Sequence, residues 1–167
     1  MIKRLALVFF AVLLVGCSPK YDWREVTTAN GHVKAAFPDK PRSESRTIEL
    51  EGEKYPFTMD MALVDDQVFA VVYSVLPEDK QDEASSRKVG EALLRSVYAS
   101  MNEPVPDTLP PFGEKLTFRK AVGNDNASIY VKVFAGSGVV IQAYSAGQDN
   151  TLKEPVADEF LNGVSLQ

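Results

Sequence analysis

Gln67-Val68-Phe69-Ala70-Val71-Val72-Tyr73-Ser74-Val75-Leu76 is the stretch whose reading decides the fold. A strand with one wet face alternates apolar and polar residues, because successive side chains point to opposite sides of the sheet. Here Val68, Phe69, Ala70, Val71, Val72 and Tyr73 are apolar without a break. The run is too short for an ordinary helix and rich in β-branched and aromatic residues, so it predicts a central strand covered on both faces. Something must then lie on each side of the sheet.

The segments upstream read as strands. Trp23–Thr27 and His32–Phe37 flank Asn30-Gly31, a dipeptide suited to a tight hairpin turn. Val33, Ala35 and Phe37 share one face of the second strand, and Pro38 and Pro41 end its pairing. Ser45–Glu51 and Tyr55–Val64 flank Gly52, and Asp65-Asp66 turns the chain into the central strand. Phe57, Met59, Met61 and Leu63 alternate with Thr58, Asp60 and Ala62, which predicts a half-buried strand with the first set inward.

Downstream, Val89, Leu93, Val97 and Met101 recur every four residues, widened by Ala92 and Leu94. Asp82 or Ser85 can cap this helix, and it ends near Asn102, before Pro104. Pro104–Gly113 carries four prolines and is neither helix nor central strand. Glu114–Val122, Ala127–Ala135 and Val139–Ala146 predict a meander, its turns at Gly123–Asn126 and Gly136-Ser137-Gly138. A last helix is expected over Thr151–Asn162, with Pro155 near its start and Leu152, Val156, Phe160 and Leu161 on its apolar face. Val164 and Leu166 close the chain. The order predicts an α+β domain, an antiparallel β-sheet with helices packed on its faces.

The first residues have a different character. Lys3 and Arg4 precede an apolar run, Leu5–Val15, which ends in Leu14-Val15-Gly16-Cys17. That layout is a secretory signal peptide, too short for the roughly 20 apolar residues of a membrane span. Its last four residues resemble the lipobox of bacterial lipoproteins. The resemblance implies cleavage after residue 16 and acylation of Cys17, the chain's only cysteine, with palmitate-type chains as a membrane anchor. One acyl chain holds only marginally, at about 0.8 kcal/mol per buried CH₂, whereas the two or three that the resemblance implies hold permanently. Ser18 in place of aspartate resembles an outer-membrane sorting signal, so the protein is expected in the periplasm on the outer membrane. The domain organisation read from this is a signal at 1–16, a tether at 17–22 and one domain at 23–167. Extended at ~3.6 Å per residue, the stretch from Ser18 to Asp22 spans at most ~18 Å, so the domain is expected against the bilayer.

Loss of Lys3 and Arg4 leaves 16 basic against 23 acidic residues, a net charge of about −7. That balance disfavours nucleic acid and electrostatic adhesion to anionic lipid. With its one thiol consumed by the lipid, the domain must be stable without a disulfide, which its length allows.

A second resemblance rests on Trp23, then Val33-Lys34-Ala35-Ala36-Phe37-Pro38 and Pro41, then Phe69-Ala70-Val71-Val72-Tyr73-Ser74 and Phe160-Leu161-Asn162-Gly163-Val164. This layout is similar to the PsbP-like group of secreted and lipid-anchored domains. The resemblance implies an α-β-α sandwich and a non-catalytic subunit or assembly factor.

Candidate chemistry is sparse. His32 is the only histidine; it follows the Asn30-Gly31 turn and is expected to be exposed, which excludes sites needing several histidines but leaves open a Ser–His pair assembled in space. Asp65-Asp66, Glu78-Asp79 and Asp82-Glu83 lack calcium-loop spacing and read as turn and helix-start residues. Gly136-Ser137-Gly138 lies between strands, so it is no phosphate loop. The proline segment is either a docking loop that presents Leu109 and Phe112 to a partner, or a rigid crossover that lays them on the core. No catalytic residue, cofactor or metal is expected. The expected function is a non-catalytic, lipid-anchored interaction or assembly module with an envelope protein partner. The alternative is a binding module that holds a small or apolar ligand between sheet and helix, lined by Phe57, Met59, Met61 and Tyr73.

Overall fold

In the computed structural model, which describes residues 20–167, the chain forms two antiparallel sheets and two α-helices. Cys17 and Ser18, and with them the lipobox, lie outside the described residues. Arg24–Thr28 (β1) and Val33–Phe37 (β2) pair antiparallel. The loop between them is a left-handed turn over Ala29–Gly31, longer than the two-residue turn that Asn30-Gly31 suggested, with φ positive at 52° for Ala29, 55° for Asn30 and 94° for Gly31. Arg42–Leu50 (β3), Glu53–Val64 (β4) and Gln67–Val75 (β5) form one meander. After the helix Glu83–Ser100 (α1), Leu116–Val122 (β6), Asp125–Gly136 (β7) and Val139–Gln148 (β8) form another. The helix Glu154–Asn162 (α2) and the short strand Ser165–Leu166 (β9) complete the chain.

The two meanders join through β5 and β8, giving a six-stranded sheet in the order β3-β4-β5-β8-β7-β6. The second sheet has the order β1-β2-β9. Val164 and Leu166 were read only as the chain's apolar end; Leu166 in fact pairs with Val33, and the Gln167 N–H donates to the His32 carbonyl at 2.9 Å. His32 is therefore half-buried rather than exposed.

The central run behaves as its composition dictates. Phe69 and Val71 are buried in a core shared with β2, α2 and Ile141 of β8. Val72 and Leu76 point the other way, into a core shared with α1 and with Val131 and Val133 of β7. Asp82 caps α1 by accepting from the Ser85 N–H at 2.9 Å, and hydrogen bonding from the Ser85 hydroxyl, then from its N–H, holds the carboxyl below the usual carboxylate range. Gly90 lets α1 approach the sheet closely: a Cβ there would stand 2.5 Å from the Ala135 Cβ. Lys115 fastens the start of β6 to α2, donating to Asp158 and Glu154 at 2.7 Å each, and these bonds raise its pKa.

Strand β4 departs from the expected pattern. Phe57 is buried, but Met59 and Met61 are only partly covered and Leu63 is 54 % exposed. Asp60 and Ala62, expected on the wet side, are buried instead, as is Val64. The strand is 12 residues long, and no single layer covers one of its faces throughout. One half lies under α1; the other lies over the layer holding β2 and α2. The buried side therefore changes part-way along.

Residues 20–22, read as tether, are docked. Lys20 pairs with Asp65 at 3.3 Å, Tyr21 donates its hydroxyl to Gln67 at 2.9 Å, and the Asp22 N–H donates to the Pro38 carbonyl at 2.8 Å. The Tyr21 and Trp23 rings each stand 6.4 Å from that of Phe69. No helix among the described residues is long and apolar enough to cross a membrane.

Val71 is fully buried and its register partner on β4 is Asp60. Val71→Asp would bury a second carboxylate beside the first, at a cost of several kcal/mol against a total stability of roughly 5–15. The variant is expected to be insoluble or to lose its cooperative melt by circular dichroism. A soluble variant melting near the parent would show that β5 is not central to the core.

Candidate functional site

The α1 side of the large sheet is incompletely covered. Because paired residues in neighbouring strands share a face, the register aligns Met59 with Val72 and Gln142 on that side, and Ala70 with Tyr144 and Val131. Helix α1 lies chiefly over β7 and β8. Beside its last turns a groove of about 540 Å³ stays open. Met59, Val72, Ile129, Val131 and Tyr144 supply the floor, Ser96, Val97 and Met101 the helical wall, and Arg46 to Ile48 of β3 the opposite wall. The volume falls within the roughly 300–1,000 Å³ of small-molecule sites. A smaller depression of about 210 Å³ adjoins it, sharing Met59 and adding Met61, Leu63, Arg42 and Glu44.

The polar groups of the groove are Arg46, Thr47, Ser96, Ser100, Gln142 and the Tyr144 hydroxyl. Burial pushes the Tyr144 phenol above its ordinary pKa, and the charge of Arg46 works in the opposite direction. Its hydroxyl has one hydrogen-bond partner among the described residues, the Met59 sulfur at 3.8 Å, a weak acceptor. Arg46 is the only charged residue lining the groove, and it joins none of the ion pairs among the described residues. Chemically, such a groove can hold an apolar chain and bond one polar head.

Of the four residues expected to line a pocket, the structure brings only Met59 into this groove. Phe57 is sealed in the core and Met61 lies in the adjoining depression. Tyr73 stands on the opposite face, where its hydroxyl accepts from Thr28 Oγ1 at 2.5 Å. The period-two pattern places Phe57, Met59 and Met61 on one side of β4, but only the register, Thr58 against Tyr73, shows that Tyr73 belongs to the other. Gln142, Tyr144 and Ile129 were missed, because nothing local in the sequence signals that β8 pairs with β5.

The acidic pairs serve local structure. Asp65 holds Lys20, Asp66 accepts from the Thr151 hydroxyl at 2.9 Å, and Asp82 caps α1. Among the described residues no three His, Cys, Asp or Glu stand together to hold a metal. Leu109 and Phe112 are half-buried against the α1-side core. Phe112 covers Gly90, where an added Cβ would lie 2.8 Å from the Phe112 Cζ, and the Arg87 guanidinium stands 5.9 Å from the ring centroid.

No protein-family model matches the chain, and a search of the curated proteins finds no match.

Phe112 distinguishes a docking loop from a crossover. A fully buried phenylalanine cut to alanine costs ~3–5 kcal/mol; for this half-buried ring Phe112→Ala is expected to cost about 2 kcal/mol and to lower the melting midpoint of the purified protein. An unchanged midpoint with weakened recovery of a cross-linked envelope partner would instead make the proline segment a docking surface.

Proposed function

We propose that this chain is a non-catalytic, lipid-anchored module of the bacterial envelope whose groove beside α1 holds a small apolar or amphipathic ligand. The groove itself carries the reading: about 540 Å³ of mostly apolar lining with a few polar groups, between sheet and helix. The non-catalytic part rests on the chemistry available. His32 sits at the start of β2, on the turn from β1, and the carboxylate pairs are engaged in caps, turns and ion pairs. The finer fold assignment, an α-β-α sandwich of the PsbP-like kind, is supported by the separate cores on the two faces of the six-stranded sheet, one with α1 and the other with α2.

The anchor reading adds an orientation. Lys20 is docked at Asp65, in the β4–β5 turn. Cys17 is three residues upstream, at most ~11 Å of extended chain. An acylated Cys17 would hold that end of the sheet near the outer membrane. Val68, beside the same turn, pairs with Ala146, which lines the groove. The groove would then approach the end nearest the bilayer, a source of apolar ligands. The reading as an interaction or assembly module keeps the proline segment with Leu109 and Phe112 as its surface; Val105 there is 43 % exposed.

Two experiments test these parts separately. Cys17→Ser removes the thiol that would carry the lipid, and the protein is expected to remain uncleaved or to be released from the outer-membrane fraction. Normal cleavage with unchanged partition into detergent would rule out the lipoprotein reading. For the groove, the full chain in phosphatidylcholine vesicles is irradiated with a diazirine-bearing stearyl alcohol. Adducts are expected in the peptides spanning 93–101 and 142–146, read by mass spectrometry. Their absence there would sink the groove reading whatever the fate of Cys17.

A further inference from the structure

We propose that the ligand of this groove is a single-chain fatty acid, its carboxylate held by Arg46 and the Tyr144 hydroxyl and its chain laid over Met59, Val72 and Val131. The inference rests on the groove being a ligand site and names the class of ligand. Charge complementarity selects the head. A lining whose only charge is one guanidinium suits a monoanion, and a guanidinium presents paired N–H donors that match the two oxygens of a carboxylate. Tyr144 adds a hydroxyl donor in a partly desolvated setting, and its present acceptor is a thioether at 3.8 Å. A carboxylate oxygen is a far better acceptor than a thioether, so the ligand would satisfy a group that the protein alone does not.

The rest of the lining selects the tail. Val72 and Val131 are buried, Met59 is unbranched and adaptable, and Leu93 and Val97 of α1 close the helical side. The groove runs between a helix and a strand as a trough, and its volume suits one chain rather than a two-chain phospholipid. The charged rim has a contrary explanation: Arg42, Glu44 and Arg46 share the groove side of edge strand β3, and charged residues on an edge strand discourage sheet-to-sheet association. That role, however, needs no particular position. Arg46 faces the groove because its register partner is Phe57, a residue of the α1-side core. Arg42 shares the face with Arg46 and lines the adjoining depression instead. It is therefore an internal control.

The test compares diazirine-bearing stearate with the matching stearyl alcohol, using the full chain in phosphatidylcholine vesicles. Stearate is expected to label the 93–101 and 142–146 peptides in the parent. Arg46→Gln should reduce that labelling roughly tenfold, the loss of one charge-assisted hydrogen bond, while leaving alcohol labelling and the circular dichroism spectrum unchanged. Arg42→Gln should change neither probe, and Tyr144→Phe should weaken stearate more than alcohol. Equal stearate labelling in the parent and Arg46→Gln overturns the fatty-acid assignment while the groove stands as an apolar site. Equal losses from Arg46→Gln and Arg42→Gln overturn it too, since rim charge alone would then explain the binding. If neither probe labels these peptides, the groove is left to a protein segment, and both the ligand site and its fatty acid are refuted.

Discussion

The structure depends on one backbone ladder, that between β5 and β8. Among the described residues it is the only strand pairing between the meander that precedes α1 and the one that follows it. Both strands carry buried apolar residues on both faces: Phe69 and Val71 with Ile141 and Ala143 on one side, Val72 with Val140 on the other. Backbone groups in such a place cannot turn to water, so they must pair with each other, and the side chains must be covered twice. The antiparallel ladder meets the first requirement. The second dictates the rest of the architecture, because neither helix alone, nor the small sheet alone, can cover both faces.

The two covers are unequal, and the site follows from that difference. On one face the β1-β2-β9 sheet and α2 act together, closed by Phe37 and Phe160, whose rings lie 5.5 Å apart, and by Tyr21 and Trp23 at the chain's entry. On the other face the cover is α1, flanked by Leu109 and Phe112 of the proline segment. The 18 residues of the helix make a rod about 27 Å long, pulled down onto β7 by Gly90. A rod only about 10–12 Å across cannot cover six strands that together span about 24 Å at the usual spacing. Where the helix ends, its wall ends. Asn102 takes a left-handed conformation at φ 53°, and Pro104 forbids a further turn. Met101 is therefore the last helical wall of the groove, and Met59, Met61 and Leu63 beyond it stay partly open.

The sequence disclosed what is local and concealed what is remote. The central strand, a cap at Asp82 or Ser85, the stop before Pro104 and the second meander were legible because turn residues, caps and periodicity act within a few residues of each other. The α+β class followed from their order. The β5–β8 pairing was not legible, because two strands separated by α1 and the proline segment carry no record of their partnership. Without that pairing no face of β4 can be assigned throughout. The odd positions from Phe57 to Leu63 look like one buried stripe, but only Phe57 is sealed. For the same reason Met59 was singled out from sequence, while Tyr144 and Gln142, opposite it across β5, were not. Strand β9 was invisible for a simpler reason: two residues show no period.

An incompletely covered apolar face has a thermodynamic consequence that the other face lacks. Covering Met59, Ile129 and the half-buried Tyr144 would gain about 25 cal/mol for each Å² of apolar surface removed from water, so the bare fold forgoes stability on this side. A ligand that binds the folded chain and not the unfolded one restores it, by an amount that grows with the logarithm of its concentration over its dissociation constant. The opposite face, sealed by its own residues, has no such dependence. For the ligand proposed above, affinity and stability would thus be coupled on one side of the sheet only. The coupling runs through Val72 and Val131, which belong at once to the groove lining and to the core beneath α1. An occupant that presses on them presses on the packing of the helix. The groove is accordingly part of the α1-side core left open to solvent, and the residues that would bind are also those that hold the helix to the sheet.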